Sequence, residues 1–571
     1  MRLFALIAAL LLCAFAYAQE WVDAAVALSG CASAEEMDQA AMDHYEFLHL
    51  HPVRINGSRL SALLTPYQVA TVLDYRHRCG DILSPAELAL VDGFSPEKVL
   101  ALEPFLSFDS TRRPGEAFAD TLRLGVKVLG RAELSCVAGK IMVDGGDAVQ
   151  AGYARRLYFD GRAGGSFFAA CSYPGGRFLA GCFNLRYGEG LLFWSGLSMD
   201  ATATMDGFSR RGGGLSPSWS WSGEGTYRGF AGEYSRGPWS GMAFASEGGY
   251  GGRISALSRT GSYGLNVKWD GALAASADVK QHLWGADFFG EAALGIPVIP
   301  SEAEGSHILG TSVIPSAAEG SPLRWAAVGG ARLPLGESLS AALRLSALPS
   351  SWTGRKYGEY SAALGCKYGG GGYVPIAGKT GFGSSEKRHS VDAVARLRLL
   401  PVPGSDPRRH ELKLTASWGF RPDSLLRVDS RLIVRYRSYE PWRAELRSDA
   451  LLSDGTVSVK MRLHGAWCQG PGLLVYGEAG YTPGAWQIWF RCTCYSTEAW
   501  ASRIYVYERD IPGSFSVPVC YGRGQALSLL LSHTLRARRF RLKSAIRASC
   551  AWSDKKPGPS PGLKFQCTLE H

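Results

Sequence analysis

The 571 residues include 70 glycines, 16 tryptophans and 24 tyrosines, and the formal net charge is +10 at pH 7. Glycine stands well above the ~7% of ordinary chains, and no segment has the ~20 uninterrupted apolar residues of a membrane helix; this excludes a helical membrane protein and argues against an ordinary soluble one. The charge is uneven: residues 19–52 hold seven acids (Glu20, Asp23, Glu35, Glu36, Asp38, Asp43, Glu46) and no Lys or Arg, residues 53–104 hold five bases against six acids, and residues 105–571 carry +17.

Met1-Arg2 gives a short basic start, Leu3 to Phe15 an apolar run, and Ala16-Tyr17-Ala18 small residues where a signal peptidase reads. Residues 1–18 are expected to be a secretory signal peptide, cleaved before Gln19. Residues 19–52 read as an acidic helical arm. Trp21, Val22, Ala25, Val26 and Leu28, then Met37, Ala40, Ala41, Tyr45 and Leu48, recur at helical spacing, with a break near Ser29-Gly30. Such an arm suits a partner-facing role in the periplasm.

Residues 53–108 change character. Helical patterns are short, over 60–64, 66–78, 85–91 and 96–102. Three of them begin at Thr65-Pro66, Ser84-Pro85 and Ser95-Pro96, a capping hydroxyl followed by proline in the first turn. Asp92-Gly93-Phe94 separates the last two. The spacing predicts a compact all-helical module of about four short helices.

Several elements of this module occur in a familiar order: Ile55-Asn56, then Leu73-Asp74-Tyr75-Arg76-His77-Arg78-Cys79-Gly80, then Leu83-Ser84-Pro85-Ala86-Glu87-Leu88, then Val91-Asp92-Gly93-Phe94-Ser95. The module resembles the tandem helix-hairpin-helix domain of competence DNA receptors, over about a tenth of the chain. The layout as a whole resembles a Bacteroidetes-type group in which paired hairpins precede a large barrel. Arg186-Tyr187-Gly188-Glu189-Gly190-Leu191-Leu192 and Arg503-Ile504-Tyr505-Val506-Tyr507-Glu508, leading to Ile511-Pro512-Gly513-Ser514-Phe515, look like recurring elements of that group. The resemblance implies that hairpin backbone N–H groups and nearby bases hold the phosphates of double-stranded DNA without reading its sequence. The residues in position for this are Arg76, Arg78, Gly93, Phe94, Ser95 and Lys98. The sequence departs from the family pattern in two places. The first hairpin, Leu63-Leu64-Thr65-Pro66-Tyr67, has no glycine, and Ser95 stands where a second glycine is usual. The module's charge is −1, against the basic surface DNA binding uses. The alternative is that the module is a plug or a protein-interaction element beside a porin-like channel or anchor.

Residues 109–117 read as a linker. From 118 to 571 the dominant period is two. Leu122, Leu124, Val126 and Val128 alternate with polar residues, as do Leu397 and Leu399, Leu412 to Trp418, Val457 to Leu463, and Leu563 to Leu569. One apolar and one polar face, repeated over hundreds of residues, predicts an antiparallel transmembrane-type β-barrel in contact with outer-membrane lipid. The fold class is thus mainly β, a C-terminal barrel preceded by a small all-α tandem helix-hairpin-helix domain, with the arm and module in the periplasm. Roughly 450 residues of ~10-residue strands with long outer loops predicts a strand number in the mid-to-high teens. Within residues 297–322 a segment repeats (Val298 to Ser306, Val313 to Ser321) and reads as a low-complexity loop insert at the cell exterior. Cys492 and Cys494 flank Thr493 on one strand face and read as wall residues. The 11 histidines are scattered, and no nucleophile motif, phosphate loop or metal-site spacing stands out. The chain is expected to be neither an enzyme nor a holder of metal or cofactor. Three partners are expected: double-stranded DNA, outer-membrane lipid and a periplasmic protein.

Overall fold

Backbone that crosses lipid must pair its N–H and C=O groups internally, which a sheet achieves only by closing on itself. The computed structural model describes residues 20–110 and 125–570, apart from 32, 38, 58, 146–147, 174, 197–201, 298–322, 337, 354–357, 370–372, 376–381, 385–388, 402–408, 423–424 and 538–539. Among the described residues, 24 antiparallel strands form a closed barrel. The first strand, Gly125–Glu133, pairs with the second, Cys136–Asp144, and also with the last, Lys556–Glu570, in a register running from Lys127↔Glu570 to Glu133↔Lys564. The expected signal peptide, most of the expected linker with Leu122 and Leu124, and the repeated insert lie outside the described residues.

The period-two pattern resolves into two faces. In the strand Val457–Trp467, Val457, Val459, Met461, Leu463 and Trp467 are exposed, Met461 at 58%, while Arg462 and His464 on the other face are buried. Leu397, Leu399, Leu412, Leu414 and Trp418 likewise point out, and Arg396 and Glu411 point in. Soluble proteins have the reverse arrangement. Apolar outside and charged inside is what a lipid-embedded barrel requires. Cys492 and Cys494 sit on the same outward face as exposed Phe490, and Thr493 faces in.

The strand number exceeds the mid-to-high teens read from the sequence. Many far-end connections are tight turns, such as Leu134-Ser135, Glu247-Gly248 and Asp270-Gly271, so less of the chain goes into outer loops than a mid-to-high-teens strand number requires. The chain enters and leaves the wall at one end. Three long connections, 187–226, 298–323 and 498–522, leave from the opposite, far end. The first and third fold back into the lumen.

Among the described residues five α-helices precede the wall: α1 (Glu20–Ser29), α2 (Gln39–Leu50), α3 (Pro66–Cys79), α4 (Pro85–Leu88) and α5 (Pro96–Leu102). The hydroxyls of Thr65, Ser84 and Ser95 each accept from the backbone N–H three residues on, with proline following. A two-stranded parallel sheet, Val53–Arg54 with Leu106–Ser107, ties the ends of the module together. Ala25, Leu28, Met42, Tyr45 and Leu48 of α1 and α2 pack into the same core as Ile55, Leu63, Val72, Leu88, Val99 and Phe105. Arm and module therefore form a single packed body.

That body lies against the barrel wall. Its side chains meet the inner wall, because the arm's carboxylates find arginines there. A charged residue on the outer face should test the barrel's orientation. Met461→Arg, near the middle of an outward row, is expected to destabilise the folded protein in lipid vesicles by about 2–4 kcal/mol, read from denaturant unfolding.

Candidate functional site in the lumen

The site is built from three chain segments that enter the lumen: residues 20–110, the first insert (187–226) and the second insert (498–522). Between α1 and α2 the arm carries Glu35 and Glu36 to arginines near the middle of their strands. Glu35 pairs with Arg462 at 2.5 Å and Arg447 at 3.0 Å, and accepts from the Tyr507 N–H of the second insert at 3.0 Å. Glu36 pairs with Arg431 at 2.6 Å. Burial alone would raise the Glu35 carboxyl. Arg447, Arg462 and the Tyr507 N–H outweigh it and hold that group well below the usual carboxylate range.

The inserts follow the same rule. Glu189 of the first insert pairs with Arg344 at 3.0 Å and Lys280 at 3.1 Å, and Asp206 with Lys367 at 2.6 Å and Arg332 at 2.9 Å. In the second insert, Asp510 pairs with Lys564 at 2.6 Å, Glu508 pairs with Arg547, and Arg509 lies 3.6 Å over the Trp489 ring and pairs with Glu478. The segments also touch one another. Thr204 donates to the Gly30 carbonyl at 2.8 Å, and Gly30, at φ +73°, lies where a Cβ would overlap the Gly207 backbone. That left-handed glycine both ends α1 and admits the insert.

Other polar contacts hold the helical body. From the wall, Arg186 donates to the Ala40 carbonyl at 3.0 Å and Asp144 meets His51 at 3.0 Å; from the first insert, Arg211 donates to the Leu63 carbonyl at 3.0 Å. Tyr67 stacks on His282 at 4.2 Å between centroids. Phe47 joins Phe168, Phe183, Phe193, Trp219 and Phe244 in a luminal aromatic cluster. Between the arm and the second insert remains a cavity of about 120 Å³, lined by Trp21, Asp43, Glu46, Trp489, Tyr507 and Arg509 among others. It holds no more than a handful of waters.

The residues expected at DNA phosphates fall into two groups at opposite ends of α3. Gln68, in the first turn of α3, donates to the Gly93 carbonyl, so the Gly93–Lys98 group lies there. Arg76 and Arg78 lie ~12–15 Å further along the helix. Gly93 has φ +84° and faces the Tyr67 ring, Phe94 is core, Ser95 caps α5, and Lys98 reaches toward the Gly93 carbonyl with Arg332, Asp287 and Asp206 acting on it. Arg76 donates to the carbonyls of Asn56 and Gly57, and Arg78 pairs with Asp74. The residues that organise the lumen are others: Glu35, Glu36, Glu189, Asp206, Asp510 and their arginines and lysines. The signal available for them was the contrast between a base-free arm and a wall region of +17. Among the described residues no group of three His, Cys, Asp or Glu is placed to hold a metal.

No family model matches the chain, and no curated protein matches it. Among solved structures it is similar to the translocation pore of the P pilus usher PapC (10% identity, 78% of this chain and 98% of that chain, TM-score 0.36). It is also similar to the siderophore receptor PirA from Pseudomonas aeruginosa (8%, 81% and 82%, 0.41) and to the FrpB iron transporter from Neisseria meningitidis (7%, 78% and 81%, 0.40). The fold is that of an outer-membrane-type β-barrel with an occupied lumen.

Two expectations follow. Glu35→Ala leaves Asp449 as the one carboxylate shared by Arg462 and Arg447 and should cost about 1.5–3 kcal/mol of local docking, seen as faster amide hydrogen exchange across residues 31–50. Asp43 provides a pH test. Burial, reinforced by Glu46 and opposed by Lys140, raises its carboxyl from 3.8 to about 6. A raised folded value means stability complete below 3.8 and lost as pH rises through about 6. Asp43→Asn should therefore protect the arm better than the native residue at pH 8, and the difference should shrink as pH falls through about 6 and vanish only below 3.8. The buried histidines are common to both proteins and cancel in the comparison.

Proposed function

We propose that the protein is an outer-membrane channel held shut by its own N-terminal segment, with the chain ends on the periplasmic side and the longer connections outside. One observation carries this: Glu35 and Glu36 cross the lumen to arginines of the inner wall at mid-strand height. Barrels of 16–18 strands already leave an aqueous channel, and larger ones are plugged. A 24-stranded wall encloses a wider lumen still, and three segments of the chain occupy it. In this reading the protein moves a solute and catalyses nothing. The helical body is the movable part, and its outward surface, with Leu83 and Leu90 exposed, is where a periplasmic protein would engage it.

DNA handling is the second reading, and the sequence resemblance supplies it. The structure favours it less: Arg76 is engaged by backbone carbonyls, and the Gly93–Lys98 turn lies by Tyr67, which stacks on the wall. Planar-bilayer recording separates the two. The native protein should show little or no conductance, and Glu35→Arg combined with Glu36→Arg, which sets like charges against Arg431, Arg447 and Arg462, should give open events of porin size. A silent double variant that retains a folded barrel would end the channel reading. A low-salt gel shift of duplex DNA by the same protein would revive the DNA one.

A further inference from the structure

High on the inner wall, toward the far end, four bases stand directly opposite one another on four neighbouring strands. Arg396, Lys413, Arg435 and Arg443 form one cross-strand row. Side chains so placed lie about 5 Å apart at Cβ, and like charges there repel. Exposed Leu397, Leu412, Tyr436 and Trp442 on the lipid face fix the four as inward. The adjacent row places Arg398 and Arg437 on either side of Glu411. That single carboxylate serves Arg396 at 2.6 Å, Arg437 at 2.6 Å and Arg398 at 3.8 Å. Glu359 and Glu440 assist Arg398 and Arg437, and Glu445 pairs with Arg443. The Arg435 side chain, in the middle of the set and half-buried, makes no hydrogen bond or close ion pair among the described residues, with Glu411 and Glu445 acting on it only at longer range.

We propose that this row is an oxyanion site, at which a phosphoryl- or sulfuryl-bearing solute lies against Arg435 between Lys413 and Arg443. The guanidinium fork matches two oxygens of such a group, and the anion relieves the repulsion along the row. Because the row faces the lumen, headgroups of the surrounding lipid cannot reach it, and the ligand is a soluble anion. The site stands whether or not the lumen conducts.

The test uses the full chain in detergent micelles and inorganic pyrophosphate as probe, by titration calorimetry and by thermal unfolding. Pyrophosphate should raise the unfolding midpoint more than sodium chloride of equal ionic strength, which controls for screening. Arg435→Gln should weaken pyrophosphate binding at least tenfold, and Arg435→Lys should keep part of it. If Arg435→Gln does not fold, Lys413→Gln carries the same expectation. Equal affinity in the native and Gln proteins, or a pyrophosphate effect no larger than that of chloride, overturns the proposal.

Discussion

A barrel in lipid turns a protein inside out, and the remaining structure answers to that inversion. Each strand must send alternate side chains into the membrane, so its polar residues have only the lumen to go to. Arginine is the most frequent of those that are buried, with Glu411, Asp449 and Glu478 among them on the same inner face. In a lumen filled with protein a guanidinium loses much of its water, and an unpaired one is costly. Wall acids meet part of the demand. Glu35, Glu36, Glu189, Asp206, Glu508 and Asp510 meet much of the rest from segments that are not wall at all.

The luminal segments depend on one another as well as on the wall. Glu35 accepts simultaneously from two wall arginines and from the Tyr507 N–H, so arm and second insert share one anchor. Thr204 and Gly207 of the first insert meet Gly30 where α1 ends, and Phe515 of the second packs on the helical core. Arg443 holds the second insert from the other side, through the carbonyls of Ala501 and Arg503. Displacing any one segment exposes charges that the others had neutralised. The filling is therefore a cooperative unit anchored by carboxylates.

Local rules carried much of the fold. The alternation of Val457 to Leu463 or Leu412 to Trp418 displays both faces of a strand, and the Ser/Thr-Pro pairs mark where α3, α4 and α5 begin. Strand number was less legible, because it depends on how short the turns are. The lumen was hardest to read. The stretch from Arg186 to Leu192 and that from Arg503 to Phe515 stood out as segments, yet nothing local says that they leave the wall and turn inward. Glu35 is one acid among seven until the barrel closes and brings Arg447 and Arg462 to it, more than 400 residues along the chain. The asymmetry of charge was the visible trace of that long-range pairing. In the structure those acids meet bases of the same chain.

The two kinds of contact made by the helical body differ in a way that bears on how it could move. Within the body, α1 to α5 are joined by a continuous apolar core, from Ala25 and Leu28 to Val99 and Phe105. Water gives no substitute for such packing, so pulling the helices apart is costly. Toward the wall and the inserts most named contacts are ion pairs and hydrogen bonds to carbonyls, with Phe47 and the Tyr67–His282 stack as the apolar exceptions. Water and salt can replace ionic partners once they separate, and the net free energy of such pairs is a small difference between attraction and desolvation. A force on this body would break the wall contacts first and leave its core intact. On the proposed channel reading, the helical body would leave the lumen as a folded piece.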